Sequence, residues 1–101
     1  MDYGVEQANG EDIYRLSGRL TFNDHARVRG LIREMQAAKS RRQVLHLTGL
    51  EFIDSAGIGM LLIAREELKG VDKDFVLRGA TGQVKRVFTV AQLGKLITIE
   101  D

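Results

Sequence analysis

The chain has 101 residues, enough for one small domain, and its 15 Lys and Arg residues nearly balance its 14 Asp and Glu residues. With 44% hydrophobic and 29% charged residues, we expect a soluble globular fold and not a disordered chain. The lack of cysteine excludes a disulfide scaffold and a thiolate metal site, and a net charge of +1 argues against a dedicated nucleic-acid binder.

The first part of the chain predicts a β-hairpin followed by a helix. Strand-like segments 3–8 and 11–17 flank Asn9-Gly10, the preferred pair for a tight two-residue turn. Candidate helix caps follow from Thr21 onward. A helix is predicted over about 24–39, because its apolar residues recur at the spacing of one buried face.

The rest of the chain alternates short apolar strands with helices. A buried strand is predicted over 44–49, ended by its last glycine, and a helix over 55–69. Further strands are predicted near 75–77 and 96–99, with a third helix between them that Thr81 would cap. The order ββαβαβαβ predicts an α/β fold: a mixed, largely parallel central sheet with three main helices and an N-terminal β-hairpin.

The junction Asp54-Ser55-Ala56-Gly57 is the candidate functional site. We expect Ser55 at the carboxyl end of a central strand, where open α/β sheets present their sites, and at a helix N-terminus that accommodates a phosphate. Gly57 and Gly59 each cost about 0.5–1 kcal/mol relative to alanine within a helix, which indicates close approach of a backbone or an anion. From spacing alone, a phosphate acceptor and a simple helix cap, formed by Asp54 or Ser55, both stay open.

A nucleophilic Ser55 is the third interpretation of this junction. The Gly-x-Ser-x-Gly elbow is absent, because Ile53 stands where its first glycine would be. Only His25 and His46 could complete a triad, and the pattern favours a solvated role for the first and a structural role for the second. No metal-ligand spacing or phosphate-binding loop motif occurs. We therefore expect no enzyme activity, cofactor or metal.

The sequence around this junction resembles the signature of a known family. Residues 47–61, LTGLEFIDSAGIGML, resemble the core motif of STAS domains, specifically the bacterial anti-sigma factor antagonists (anti-anti-sigma factors). Residues 16–20, LSGRL, resemble the family's strand before its first helix, and residues 84–99 resemble its closing helix and strand. The resemblance covers nearly the whole chain and implies one STAS domain over residues 1–101.

The resemblance implies that Ser55 is the serine phosphorylated by a partner that is both an anti-sigma factor and a GHKL-type serine kinase. The unphosphorylated chain would sequester that partner, the phosphorylated chain would release it, and a PP2C-type phosphatase would reset the cycle. This implies partner switching in signal transduction and transcription regulation by a cytoplasmic phosphoprotein, with no nucleic-acid contact and no direct membrane insertion. The implied partner-binding surface comprises Asp24, Asp54, Ser55, Ala56, Gly57, Ile58, Gly59 and Met60.

Two departures and one alternative accompany the resemblance. Antagonists often carry an aspartate directly after the position of Leu20, where this chain has Thr21, and the next aspartate is Asp24. The chain stops soon after Ile99, so we expect the closing helix of many relatives to be short or absent. The alternative is a STAS subunit of an ABC-type lipid-transport complex, which would dock on an ATPase without being phosphorylated.

Overall fold

The computed structural model describes all 101 residues, which form one five-stranded sheet and three α-helices. The elements are β1 (Asp2–Ala8), β2 (Glu11–Leu20), α1 (His25–Ala37), β3 (Arg42–Ile53), α2 (Ser55–Lys69), β4 (Asp74–Arg78), α3 (Gly82–Val90) and β5 (Thr98–Glu100). The strands lie in the order β1-β2-β3-β4-β5. Only β1 and β2 pair antiparallel. The predicted α/β fold class with its N-terminal hairpin is confirmed.

The hairpin turn has the predicted chemistry. Asn9 and Gly10 adopt φ angles of +54° and +77°, and Ala8 pairs with Glu11 across the turn. A two-residue turn whose twist matches the strands needs positive φ at both positions, which asparagine and glycine tolerate best.

Strand β3 is longer than predicted, because Gly49 does not end it. A side chain at Gly49 would place its Cβ 2.9 Å from the carbonyl oxygen of Leu16, so the glycine permits close contact with β2. The register between β2 and β3 shifts at this point, with one extra residue on β3. Both strands then continue until Leu20 pairs with Ile53, which brings the residues after each strand side by side.

Several element ends also differ from the prediction. A 3-10 turn, Phe22–Asp24, precedes α1, which therefore begins at His25. Thr81 occupies the position before α3, but its side chain makes no capping hydrogen bond, contrary to expectation. Leu96 is exposed and lies outside the last strand, which comprises only Thr98–Glu100.

All three helices pack on the same face of the sheet. The main core contains 21 buried residues, including residues from each helix and strand residues such as Tyr14, Leu45 and Leu77. Alternate strand residues point to the opposite face, because side chains alternate along a strand. There Ile13, Val44 and Val76 form a separate small cluster that no helix joins.

This helix-free face, the side of the sheet that carries Val44 and Val76, is covered by charged side chains. Arg78 contacts Glu11 at 2.9 Å and Glu100 at 2.8 Å, and Arg42 pairs with the same two carboxylates. The hydrogen bonds from Arg78 and then Arg42 lower the pKa of Glu11 to about 2. Val44 and Val76 are at most 1% exposed, so the stems of the long side chains provide their cover.

No helix of the structure has the length and apolar character needed to cross a membrane.

Candidate functional site

Asp54 is the residue that caps α2. Its Oδ1 accepts a hydrogen bond from the Gly57 amide at 2.8 Å, which satisfies one of the unpaired amides of the first turn. Its Oδ2 accepts from the Phe22 amide at 3.1 Å, and its own amide donates to the Leu20 carbonyl. The Asp54 carboxylate, predicted as part of a partner surface, is therefore engaged inside the chain and ties the β2–α1 turn to α2.

Ser55 is the first residue of α2 and is exposed to solvent. Its hydroxyl makes no hydrogen bond within the chain, and Asp54 serves as the cap. Of the two capping residues that the sequence left open, the cap is Asp54, and Ser55 is not needed for the helix to begin. The hydroxyl thus lies free at the end of α2 where the amides point outward and the helix dipole favours negative charge.

The two glycines of this turn have different roles. A Cβ at Gly57 would lie 2.6 Å from Cγ1 of Ile53 and 2.7 Å from the Leu20 carbonyl oxygen. Close backbone approach, expected from the sequence, therefore explains Gly57. A Cβ at Gly59 would meet nothing within 4 Å, so packing does not require that glycine.

The apolar residues that follow Ser55 divide between surface and core. Ala56 and Ile58 are partly exposed and pack at the margin of the main core. Met60 and Leu61 are only 3% and 2% exposed, so they are core residues. The prediction of Met60 on the partner surface is corrected, because its side chain is buried in the main core.

Asp24 is held by the chain in the same manner as Asp54. One carboxylate oxygen accepts from the Thr21 amide at 2.8 Å and the other contacts the Met1 ammonium at 3.2 Å. Burial raises the pKa of Asp24, but these hydrogen bonds outweigh it and hold the pKa below its usual range. Thr21 and Asp24 form a capping box, so the Thr21 departure serves the turn itself.

Phe22 is a surface residue that the sequence analysis did not identify. It is 67% exposed and makes an edge-to-face contact with His25, with ring centroids 6.0 Å apart. Its amide binds the carboxylate of Asp54, so it lies next to the start of α2. The available signal was a large aromatic residue between the two members of a Thr-x-x-Asp capping pair, where it cannot face the core.

A groove separates the start of α2 from α3, and we call it the Ser55 groove. Its volume is about 530 Å³, and its lining includes Ser55, Ile58, Arg86, Val87, Val90 and Ala91. Gln83 fixes α3 against the end of β3 by a pair of hydrogen bonds with the Ile53 backbone, at 3.0 and 2.9 Å. The lining of the groove is mainly apolar and includes Ser55, whose hydroxyl is free. The hydrogen bonds of Gln83 hold α3, which forms one wall, in place.

The two histidines do not form a catalytic dyad with Ser55. His25 contacts the ring of Phe22 edge to face, and neither of its ring nitrogens hydrogen-bonds Ser55. His46 lies on the helix-free face, because it alternates with Leu45 and Leu47 along β3. Burial, together with the charges of Arg15 and Arg78, lowers the pKa of His46.

Comparisons with known proteins agree with this architecture. A family model described as "Mlab, STAS domain" matches residues 4–98. A STAS-domain containing protein of Pseudomonas aeruginosa is 27% identical over 96 residues, which is 94% of each chain.

Solved structures of anti-sigma factor antagonists share the fold. One from Mycobacterium paratuberculosis has a TM-score of 0.84 at 20% identity, over 98% of this chain and 84% of that one. Unphosphorylated SpoIIAA of Bacillus has a TM-score of 0.70 at 22% identity, over 99% of this chain and 88% of that one. The same fold occurs in the STAS domain of a SulP transporter from Vibrio cholerae, with a TM-score of 0.74 at 20% identity, over 95% and 77% of the two chains.

Proposed function

The chain belongs to the STAS domain family, and from this premise we propose that it is an anti-sigma factor antagonist whose partner binding is switched by phosphorylation of Ser55. One observation carries the proposal. The Ser55 hydroxyl is exposed at the start of α2 and forms no hydrogen bond, while Asp54 does the capping. A serine with no structural task at a helix N-terminus is open to modification without cost to the fold.

The chain is the substrate of this reaction, and the catalyst is its partner. Ser55 Oγ attacks the γ-phosphorus of ATP bound to a GHKL-type serine kinase that is also an anti-sigma factor. The new Oγ–P bond replaces the bond from phosphorus to the β–γ bridging oxygen, ADP leaves, and the hydroxyl proton passes to a base of the kinase. A PP2C-type phosphatase would hydrolyse the phosphate and restore Ser55.

The partner surface that supports binding is smaller than the sequence suggested. We place Phe22, Ser55, Ala56 and Ile58 on it, and we call these four residues the Ser55 surface. The exposed aromatic ring of Phe22 is the most suitable anchor, since aromatic side chains dominate interface energies. Asp24 and Asp54 support this surface from below, because their carboxylates bind the backbone of the adjoining turn.

Phosphorylation would reverse binding through local charge and bulk. A phosphate on Ser55 adds about −1.5 to −2 charges and three acceptor oxygens. The partner surface that fitted a neutral hydroxyl would then face a steric and desolvation cost. A loss of about 3–4 kcal/mol weakens binding by a few hundredfold, enough for the partner to exchange ligands.

Kinase assays on the intact protein test the proposal. The protein is incubated with ATP and each GHKL-type serine kinase of the source genome, and phosphate is located by mass spectrometry. We expect phosphate on Ser55, none in Ser55→Ala, and unchanged modification in the matched control Ser17→Ala, another exposed serine. Phosphate confined to another residue, or none with any kinase, would refute it.

Phe22→Ala tests the surface separately. Because the ring is exposed, we expect the variant to fold normally and to bind the kinase at least about tenfold more weakly. The matched control is Val5→Ala, an exposed apolar residue on the edge strand β1. Equal affinity of Phe22→Ala and the unmodified protein would remove Phe22 from the surface.

A second candidate function is a STAS subunit of an ABC-type lipid-transport complex. The description of the matching family model names no sigma factor, and one structure of the same fold belongs to a SulP transporter. In that case the protein would co-purify with an ATPase subunit, and Ser55→Ala would leave the complex and its transport activity intact. Loss of the partner complex on phosphorylation of Ser55 favours the first candidate.

A further inference from the structure

We propose that Arg86 captures the phosphate on Ser55 and that the phosphorylated protein thereby closes its own Ser55 groove. This inference rests on the proposed function and concerns how the same site is regulated. It assigns a role to a residue of α3 that lies outside the junction motif.

Arg86 is placed and available for this role. It lines the same groove of about 530 Å³ as Ser55, and Asp54 and Arg86 are the only charged residues in its lining. Arg86 is exposed and forms no ion pair, in contrast to Arg42 and Arg78 on the helix-free face. A guanidinium without a partner in the same groove as a modifiable hydroxyl is the feature that points to phosphate.

Asp54, the other charged residue of the lining, forms no ion pair with Arg86. Its two carboxylate oxygens accept hydrogen bonds from the amides of Gly57 and Phe22. A phosphate on Ser55 would instead present three new oxygens in the groove. A guanidinium fork pairs with two oxygens of a phosphate at once, and such charge-assisted pairs are stronger than neutral hydrogen bonds.

Capture would also change what the groove offers to a partner. Its walls include Ile58, Val87 and Val90, and Val90 is 84% exposed. An arginine drawn from α3 toward Ser55 lays its aliphatic stem across these apolar side chains. The phosphorylated protein would then present a charged, covered groove where the unphosphorylated protein presents an open apolar one.

Phosphorus NMR tests the pairing without any kinase. Phosphoserine is introduced at position 55 during translation of the full chain, and the phosphate resonance is followed over pH. An adjacent arginine favours the dianion and lowers the second phosphate pKa, ordinarily about 6, while the opposing effect of the Asp54 carboxylate is common to all the variants compared. Arg86→Gln should raise it by about half a unit to one unit, and Arg86→Lys should raise it less, because lysine keeps the charge without the fork.

The matched control is Lys85→Gln. Lys85 is the neighbouring cation on α3, but it lines a different groove and should leave the phosphate pKa unchanged. In 1 M salt the pKa difference between the unmutated phosphoprotein and Arg86→Gln should shrink, because salt screens an exposed pair. Circular dichroism of each variant verifies that the helices remain, as expected for exposed side chains.

Two outcomes would overturn the proposal: the same phosphate pKa with and without the Arg86 guanidinium, or an equal shift in Lys85→Gln. The result is independent of the proposed function, since the phosphate is installed by translation. If no kinase modifies Ser55 but Arg86→Gln shifts the pKa, the proposed function fails while the pairing stands. If a kinase does modify Ser55 but Arg86→Gln shifts nothing, only the pairing fails.

Discussion

The helix-free face and the Ser55 surface differ in whether their polar groups have partners within the chain. On the helix-free face, Glu11 and Glu100 share both Arg42 and Arg78, and the small apolar cluster beneath is sealed. On the Ser55 surface the serine hydroxyl is free and a phenylalanine ring is exposed.

The difference separates stability from function. The charges of the helix-free face are satisfied within the chain, because unpaired groups near an apolar cluster are costly. Beneath the Ser55 surface, Asp54 and Gly57 fix the turn by a capping hydrogen bond and by close packing. The Ser55 hydroxyl above them has no partner within the chain. We therefore expect substitutions beneath Ser55 and on the helix-free face to lower stability, and substitutions of the exposed groups to alter binding alone.

The largest loss of stability is expected for Gly57→Ala. The added Cβ would meet the Leu20 carbonyl oxygen at 2.7 Å, and backbone cannot yield as a side chain tip can. Because the clash is with backbone, we expect the free energy of unfolding in urea to fall by about 3 kcal/mol or more, the upper end for overpacking. The matched control Gly59→Ala meets nothing within 4 Å and should stabilise α2 by about 0.5–1 kcal/mol. Equal effects of both substitutions would contradict the packing described beneath Ser55.

The next largest loss of stability is expected for Glu11→Gln, which removes the ion pairs of Glu11 with Arg42 and Arg78 on the helix-free face. Removing a carboxylate bound by two arginines should cost about 1.5–3 kcal/mol at pH 7. The pKa of Glu11 is about 2 in the folded protein against an ordinary 4.5. Its contribution is therefore complete above pH 4.5 and is lost as pH falls toward 2.

Urea unfolding at pH 7 and pH 3 measures this contribution. The difference in stability between Glu11→Gln and the unmutated protein should shrink at the lower pH. A difference that stays constant over this range would mean that the Glu11 carboxylate is not held as described.

A smaller effect is expected for Asp54→Ala, which removes the cap of α2 and its link to Phe22. We expect a loss of about 1 kcal/mol, within the range for capping residues. Asp54→Asn is the control, because asparagine caps helices as well as aspartate and should retain most of the stability. If Asn and Ala at position 54 were equally harmful, the carboxylate charge and not its capping bond would matter.

The smallest effect on stability is expected for Ser55→Ala. The hydroxyl makes no hydrogen bond within the chain and is exposed. The free energy of unfolding, measured by thermal denaturation, should therefore stay within about 0.5 kcal/mol of that of the unmutated protein. A loss as large as that of Asp54→Ala would show that Ser55 shares the capping role.

The sequence predicts α2 with its observed bounds, Ser55–Lys69, because Asp54 and Ser55 are capping residues at its start and Gly70 follows its end. It misplaces the end of β3, because a glycine in a strand marks either a stop or a close backbone approach. Gly49 does the second, and only the contact with Leu16 across the sheet decides this.

The sequence predicts where Ser55 lies in the fold, but it does not predict which neighbouring residues share its surface. Local sequence shows that a serine follows a strand and opens a helix. The apolar run after it cannot tell Met60 in the core from Ile58 at the surface until the orientation of α2 is known. Arg86 comes from a distant segment that the fold brings to the Ser55 groove, so no local pattern indicates it, whereas the capping pair around Phe22 is a local signal.

The most direct test of the account is the affinity of the protein for the GHKL-type kinase proposed as its partner, with and without a phosphate on Ser55. Isothermal titration calorimetry on the two otherwise identical full-length forms gives both dissociation constants. We expect the unphosphorylated form to bind and the phosphorylated form to bind a few hundredfold more weakly. Equal affinity of the two forms would contradict a phosphorylation switch at Ser55.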